Sequence, residues 1–181
     1  CPRPAEEIVA DMAAAAQRAV ENAGLKLSDI EAMGVGTPGA IDPVHGVVCY
    51  ANNLDFHDVP MAAMLKEKLG VDFYIENDAN AAAYGEYIAG GAKGYKDAVI
   101  ITLGTGIGSG IILNGKILRR FNFAAGEMGH TVIVKDGIQC TCGRRGCWER
   151  YASATALIRE GRKFAEAHPD SALCRQVNGD L

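Results

Sequence analysis

Helical segments alternating with strand-like runs predict an α/β fold for this chain of 181 residues. Three observations carry the prediction. An amphipathic helix lies near the N-terminus, a short β-branched and aromatic run leads directly into an alanine-rich helix at 78–89, and a strongly apolar run at 98–103 opens a second half.

In the first segment Ile8, Val9, Met12, Ala15, Ala16, Ala19, Val20 and Ala23 recur at helical spacing between Pro4 and Gly24, which predicts a helix over 5–23. A strand at 30–35, a Gly36-Thr37-Pro38-Gly39 turn and an extended segment around 47–50 come next. They are followed by a helix over 60–69, a strand at 73–75 and the helix at 78–89. Gly90-Gly91-Ala92-Lys93-Gly94 breaks that helix and marks a boundary, giving an expected N-terminal α/β domain of residues 1–92 and the first part of a second over 93–181. The second half reads as a strand at 98–103, a glycine-rich turn through Gly110, and two strands joined by Asn114-Gly115, the usual signature of a tight hairpin. A final helix over 153–167 is ended by Pro169.

At 19.1 kDa the chain buries about 70% of its unfolded surface, enough for a real core. Its net charge of -4 and pI near 5.6, with no basic cluster longer than a pair such as Arg119-Arg120 or Arg144-Arg145, leave no footprint for nucleic acid or a membrane surface. No apolar run approaches the roughly 20 residues that span a bilayer, and the first residues lack the layout of a signal peptide, so a cytoplasmic protein is expected. The chain begins with cysteine, and 171–181 follows a helix without a closing element; it reads as a piece of a longer protein.

Cys140, Cys142 and Cys147 lie within eight residues, and His130 stands ten positions upstream of the first. Three thiolates and an imidazole complete a tetrahedral zinc shell, and a site closed by four side chains is structural rather than catalytic. A disulfide is the bland reading, but three thiols so close cannot all pair, and a reducing compartment keeps them free. Glu127 and Glu149 flank this cluster without being needed as ligands, which leaves their carboxylates for a polar ligand.

Two further segments carry chemistry with an alternative beside it. Gly104-Thr105-Gly106-Ile107-Gly108 can bring backbone amides up to a phosphate, or can simply be a tight hairpin; without a following helix or Gly-Lys-Ser/Thr it meets neither the dinucleotide nor the P-loop pattern. Asn77 and Asp78 sit where a strand ends and a helix begins, a place where ligands gather in α/β sheets. Asp78 is then either a helix cap or a general base for a hydroxyl. The 36–39 turn and Asn52-Asn53 are ordinary turn chemistry, Cys49 and Cys174 are isolated thiols, and His45, His57 and His168 stand outside any cluster.

Taken together, Gly-x-Pro-Gly at 36–39, Glu-Asn-Asp-Ala-Asn-Ala-Ala-Ala at 76–83, Gly-Thr-Gly-Ile-Gly at 104–108, Glu-x-Gly-His at 127–130 and Cys-x-Cys-Gly-x-x-Gly-Cys-x-Glu at 140–149 resemble the ROK family of sugar kinases and sugar-responsive repressors, in order and spacing. The resemblance implies an actin-like, ribonuclease-H-like kinase fold, two α/β domains closing over a hexose and Mg-ATP. It implies that Asp78 is the general base, that Asn77, Glu127, His130, Glu149, Gly39 and Asn53 contact the sugar, and that Gly104, Thr105, Gly106, Ile107 and Gly108 cradle ATP phosphates. His130, Cys140, Cys142 and Cys147 would hold structural Zn2+, and a homodimer or homotetramer is expected. This sequence departs from the family pattern in lacking its N-terminal Asp-x-Gly-Gly-Thr segment and its C-terminal glycine-rich part, so the piece alone is expected to be inactive. It also carries Arg120 where the family has a small residue. A transcriptional repressor whose DNA-binding segment lies outside the chain is the competing reading, and a zinc-stabilised interaction domain is a third that leaves the ordered carboxylates unexplained.

Overall fold

The computed structural model of the chain describes residues 3–119, 121, 123 and 125–176, so Arg120 lies outside the described residues. The chain divides into two compact units, one of residues 1–99 and 110–126 and the other of 100–109 and 127–181.

The first unit begins with α1 (Ala5–Asn22), within a residue or so of the span its periodicity predicts, with Glu6 and Glu7 in its first turn where the helix dipole favours acids. β1 (Ala32–Thr37), β2 (Ala40–Asp42), β3 (Val47–Ala51), β4 (Phe56–Val59), α2 (Met61–Leu69), β5 (Asp72–Asn77) and α3 (Asp78–Ala89) follow. β1 and β5 pair in parallel, with Gly36 opposite Glu76 and Thr37 opposite Asn77. Between them runs an antiparallel sheet in the order β2-β3-β4. The sequence expectation named one extended segment here, and the structure has three strands. β2 has only three residues, and β4 buries Phe56 and Val59 while exposing His57 and Asp58, so neither shows the alternation that betrays a strand.

One apolar core holds this unit, built from Val9, Ala13, Ile41, Val48, Phe56, Met61, Leu65 and Ile75. Each large side chain fully buried there contributes roughly 1.5–3 kcal/mol. Met33, Val35 and Phe73 pack against the same core, and strand alternation therefore turns Gly34, Gly36, Tyr74 and Glu76 to the opposite face. The core thus fixes where the carboxyl ends of β1 and β5 point.

β6 (Ala98–Leu103), β7 (Ile107–Leu113) and β8 (Lys116–Ile117) form a three-stranded sheet in that order. Asn114 and Gly115 have φ of 50° and 74°, the left-handed pair that an Asn-Gly hairpin requires. The glycine run is shorter as a turn than expected: strand geometry resumes at Ile107, so Ile107 and Gly108 belong to β7.

The described residues of the second unit contain a 3-10 turn at Met128–His130, the cysteine loop, α4 (Glu149–Ala152), α5 (Ala154–Ala167) and α6 (Ala172–Gln176). The expected helix at 153–167 is α5, and Ser153 is its cap, its Oγ accepting the Ala156 N–H at 3.1 Å. Among the described residues no helix is long and apolar enough to cross a membrane.

Candidate functional site

At the carboxyl end of β5 the chain turns into α3, and Asn77 closes that turn. Its Oδ1 accepts the Asn80 N–H at 3.0 Å and its Nδ2 donates to Gly39 O at 3.1 Å. The helix cap is therefore Asn77, not Asp78. Asp78, the first helical residue, is exposed; its Oδ1 accepts the Ala79 N–H at 2.8 Å, and its other oxygen has no partner among the described residues. One carboxylate oxygen is thus spent on a first-turn amide of the helix, and the other is open to a ligand.

Gly39 joins this site through the Asn77 bond and through its own backbone. Its φ is 107°, and a Cβ there would lie 2.1 Å from Tyr50 O, so no other residue fits without moving β3. Asn53 lies exposed in the turn after β3, and the structure gives it no bond to Asn77, Asp78 or Gly39.

Sequence reasoning passed over Glu76 and Arg119, although Glu76 heads the Glu-Asn-Asp run. Glu76 Oε1 accepts the Asn77 N–H at 3.0 Å and Asn80 Nδ2 at 3.3 Å. Its Oε2 accepts both Nε (3.0 Å) and Nη2 of Arg119. Glu76, Asn80 and Arg119 share a cavity of about 770 Å³ with Tyr74 and Tyr84. Asn80 is only 4% exposed, and its Oδ1 has no partner among the described residues.

In the second unit the loop at 104–106 is tied down through its carbonyls. Gly104 O accepts the Ala154 N–H at 2.9 Å, and Thr105 O accepts Thr155 Oγ1 at 2.7 Å. The Gly104 N–H closes the turn onto Gly106 O, and the Ile107 N–H is held by Glu149 Oε2 at 3.0 Å. Among the described residues the amides of Thr105 and Gly106 have no acceptor, so they are the ones free for an anion. Glu149 comes so close that a Cβ on Gly106 would lie 2.2 Å from Oε2, which requires glycine there.

Glu127 is exposed and opens the 3-10 turn, its carbonyl accepting the His130 N–H at 3.1 Å. His130 turns Nδ1 toward Cys140 Sγ at 3.6 Å, leaving Nε2 on the other side of the ring. Cys142 and Cys147 have their Sγ atoms 3.6 Å apart, and one ligand atom from each of the four residues lies within 4.8 Å of the others. Tetrahedral ligation with metal–sulfur bonds of about 2.3 Å needs sulfur atoms about 3.8 Å apart, so the donor set fits such an ion. The loop is preformed by Cys140 N–H to Arg144 O, Gly143 N–H to Cys140 O and Gly146 N–H to Ile138 O. Burial, then hydrogen bonding with Cys142 and Cys140, pushes the Cys147 thiol up to about 12. Burial also pushes Cys142 up, but the Arg144 amide and the other two thiols outweigh it, and the net shift is downward. Three thiols cannot all ionise so close together unless a cation shares their charge.

The structure thus groups Gly39, Asn77 and Asp78 in the first unit, and the 104–108 loop with Glu149 and His130 with the three cysteines in the second.

A glucokinase of Streptomyces coelicolor is 42% identical to the chain over 152 residues, 84% of this chain and 48% of that protein. A xylose repressor of Bacillus subtilis is 41% identical over 127 residues, 70% of this chain and 33% of that protein. The crystal structure of a ROK family glucokinase from Streptomyces griseus, in complex with glucose and AMPPNP, superposes with a TM-score of 0.86 at 41% identity, covering 99% of this chain and 56% of that one. The chain spans about half the length of the glucokinase it matches. Its architecture is part of the actin-like, ribonuclease-H-like fold of these sugar kinases. The ROK family description matches residues 1–180, and with it the ordered motifs and the fold agree: the chain belongs to the ROK family.

Proposed function

We propose that the protein containing this chain transfers the γ-phosphoryl group of Mg-ATP to the primary hydroxyl of a hexose, glucose first among them. The observation that carries this reading is the exposed Asp78 carboxylate, held at a strand end by its neighbours' bonds and with one oxygen unpartnered among the described residues. The similarity to glucokinases and to a glucose- and AMPPNP-bound relative supports it.

Phosphoryl transfer asks the protein for positioning and charge neutralisation more than for covalent help. Asp78 takes the proton from the sugar's primary hydroxyl as that oxygen attacks the γ-phosphorus and the bond to the bridging oxygen breaks, releasing ADP. Asn77 has one Nδ2 hydrogen left after its bond to Gly39, and with Glu127, His130, Glu149, Gly39 and Asn53 it orients the other hydroxyls. The amides of Thr105 and Gly106, within the Gly104–Gly108 segment, receive ATP phosphate oxygens. Mg2+ would neutralise phosphate charge when bound with the nucleotide.

His130, Cys140, Cys142 and Cys147 would hold Zn2+, which supplies ligation and no step of the reaction. Nδ1 of His130 is on the thiol side, so that bond fixes the ring and leaves Nε2 for a sugar hydroxyl. We further propose that the acidic chain works in the cytoplasm as a homodimer or homotetramer.

The test uses full-length protein in a coupled ADP-release assay with Mg-ATP and a panel of hexoses. Asp78→Asn should still bind sugar and lose turnover by about 10²–10⁴-fold, the usual worth of a positioned base. Near-normal turnover in that variant removes Asp78 from the role. A second reading, a sugar-responsive repressor, is favoured by the identity to the xylose repressor. Sugar binding without turnover on any hexose would select it.

A further inference from the structure

We propose that Arg119 and Glu76 are positioning residues that fix the Asn77–Asp78 turn, a role that rests on the kinase reading and adds to it. Glu76 precedes the general base by two residues and lies on the face of β5 opposite the apolar core. One of its oxygens receives the Asn77 backbone N–H and Asn80 Nδ2, so the carboxylate braces the turn from both sides. The other oxygen accepts from both Nε and Nη2 of Arg119, two charge-assisted bonds converging on one atom. Arg119 reaches it from the residues after β8, where the Leu118 N–H to Ile111 O bond keeps the backbone against β7.

The pair is partly shielded, more on the Glu76 side than on the Arg119 side. The Glu76 side chain is 21% exposed and that of Arg119 is 39% exposed. Asn80 is tied to the same carboxylate. Only its NH2 can donate to a carboxylate, and in that orientation Oδ1 is buried without a partner among the described residues. Without Arg119 the second oxygen of Glu76 has no protein donor among the described residues, and the carboxylate can turn to water and release the Asn77 N–H. Asp78 then loses its fixed position, although neither Arg119 nor Glu76 touches the reacting atoms.

Arg119→Met in the full-length protein should lower kcat about 10- to 100-fold, the effect of misplacing a catalytic group by about 1 Å. The KM for ATP should stay within about twofold, because the 104–106 amides do not depend on this pair. Arg119→Lys, which keeps the charge but not the two converging bonds, should recover part of the loss and remains informative if the methionine variant folds poorly. The double variant Glu76→Gln, Arg119→Met should be no slower than Arg119→Met alone, as for residues that act as a unit. Hydrogen exchange at the Asn77 and Asn80 amides should speed up by about tenfold in Arg119→Met while amides in the Val9–Leu65 core keep their rates. A kcat within twofold of wild type, losses that simply multiply in the double variant, or unchanged exchange at Asn77 and Asn80 would each overturn the proposal. If the wild type turns over no hexose, the kinase reading fails on its own, and the exchange experiment alone decides whether Arg119 orders the turn.

Discussion

Asn80 is a buried side chain whose chemistry is set by one neighbour. With 4% of its surface exposed and Nδ2 given to Glu76, it tolerates loss of its amide better than conversion to an acid. Asn80→Asp removes that donor and places two carboxylates in contact, which should destabilise the protein by about 3 kcal/mol. Asn80→Ala loses the same bond but also removes the unpartnered Oδ1, so its cost should be distinctly smaller. Urea midpoints for the two variants at neutral pH test this, and equal costs would show that charge at Glu76 is not the controlling interaction. The adjacent cap shows how far the sequence was readable at this scale. Asn and Asp both suit an N-cap, and residue type alone cannot say which of two neighbours adopts the extended backbone that a cap needs; here Asn77 does, with ψ of 138°. Glu76 was visible in the motif, but its partner Arg119 is 43 residues away and no local pattern announces the pairing.

Among the elements, the turn from β2 to β3 depends on a single carboxylate. Asp42 Oδ1 accepts the Val44 and His45 N–H groups at 2.9 and 3.2 Å, and Oδ2 meets His45 Nδ1 at 2.6 Å. The His45 ring bond first, then the two amides, hold the Asp42 carboxyl below the usual carboxylate range despite some burial. A carboxyl depressed in the folded state stabilises that state above its unfolded pKa of about 3.9, and the contribution is lost as pH falls through the lower folded value. Exchange protection at the Val44 and His45 amides should therefore persist at pH 5–7 and fall below about pH 4, with Asp42→Ala lacking it throughout. Protection that is the same in Asp42→Ala and wild type at pH 6 would refute the assignment. The longer helices were legible in advance: α1 follows its apolar spacing, α3 its alanine run, and α1, α2, α3 and α5 their Pro, Gly or Ser boundaries. β2 and β4 were not, because three or four residues hold too little pattern, and the start of β7 was hidden because Ile107-Gly108-Ser109-Gly110 looks like a turn until β-pairing selects the strand.

At the level of the whole molecule, the two units are held by different means. The first has a contiguous core that includes Val9, Ile41, Phe56, Met61, Leu65 and Ile75. The buried apolar residues described for the second are Ile107, Cys140, Cys147, Ala156 and Ala165, and two of these are proposed metal ligands. Burying an Ile or Ala side chain contributes a few kcal/mol at most, whereas structural zinc in small metal-folded domains contributes on the order of 10 kcal/mol. The cysteine loop should therefore depend on the metal far more than the first unit does. Treating full-length protein with a zinc chelator at neutral pH, or substituting Cys142→Ser, should accelerate hydrogen exchange in segments within 127–153 by at least about tenfold and leave segments containing Val9, Leu65 and Ile75 near their original rates. On the proposed kinase reading, sugar affinity should fall in parallel, because His130 and Glu149 lose the loop that orients them. Exchange in 127–153 that does not respond to chelation, or normal sugar affinity in zinc-free Cys142→Ser protein, would show that these four residues shape the site without a metal.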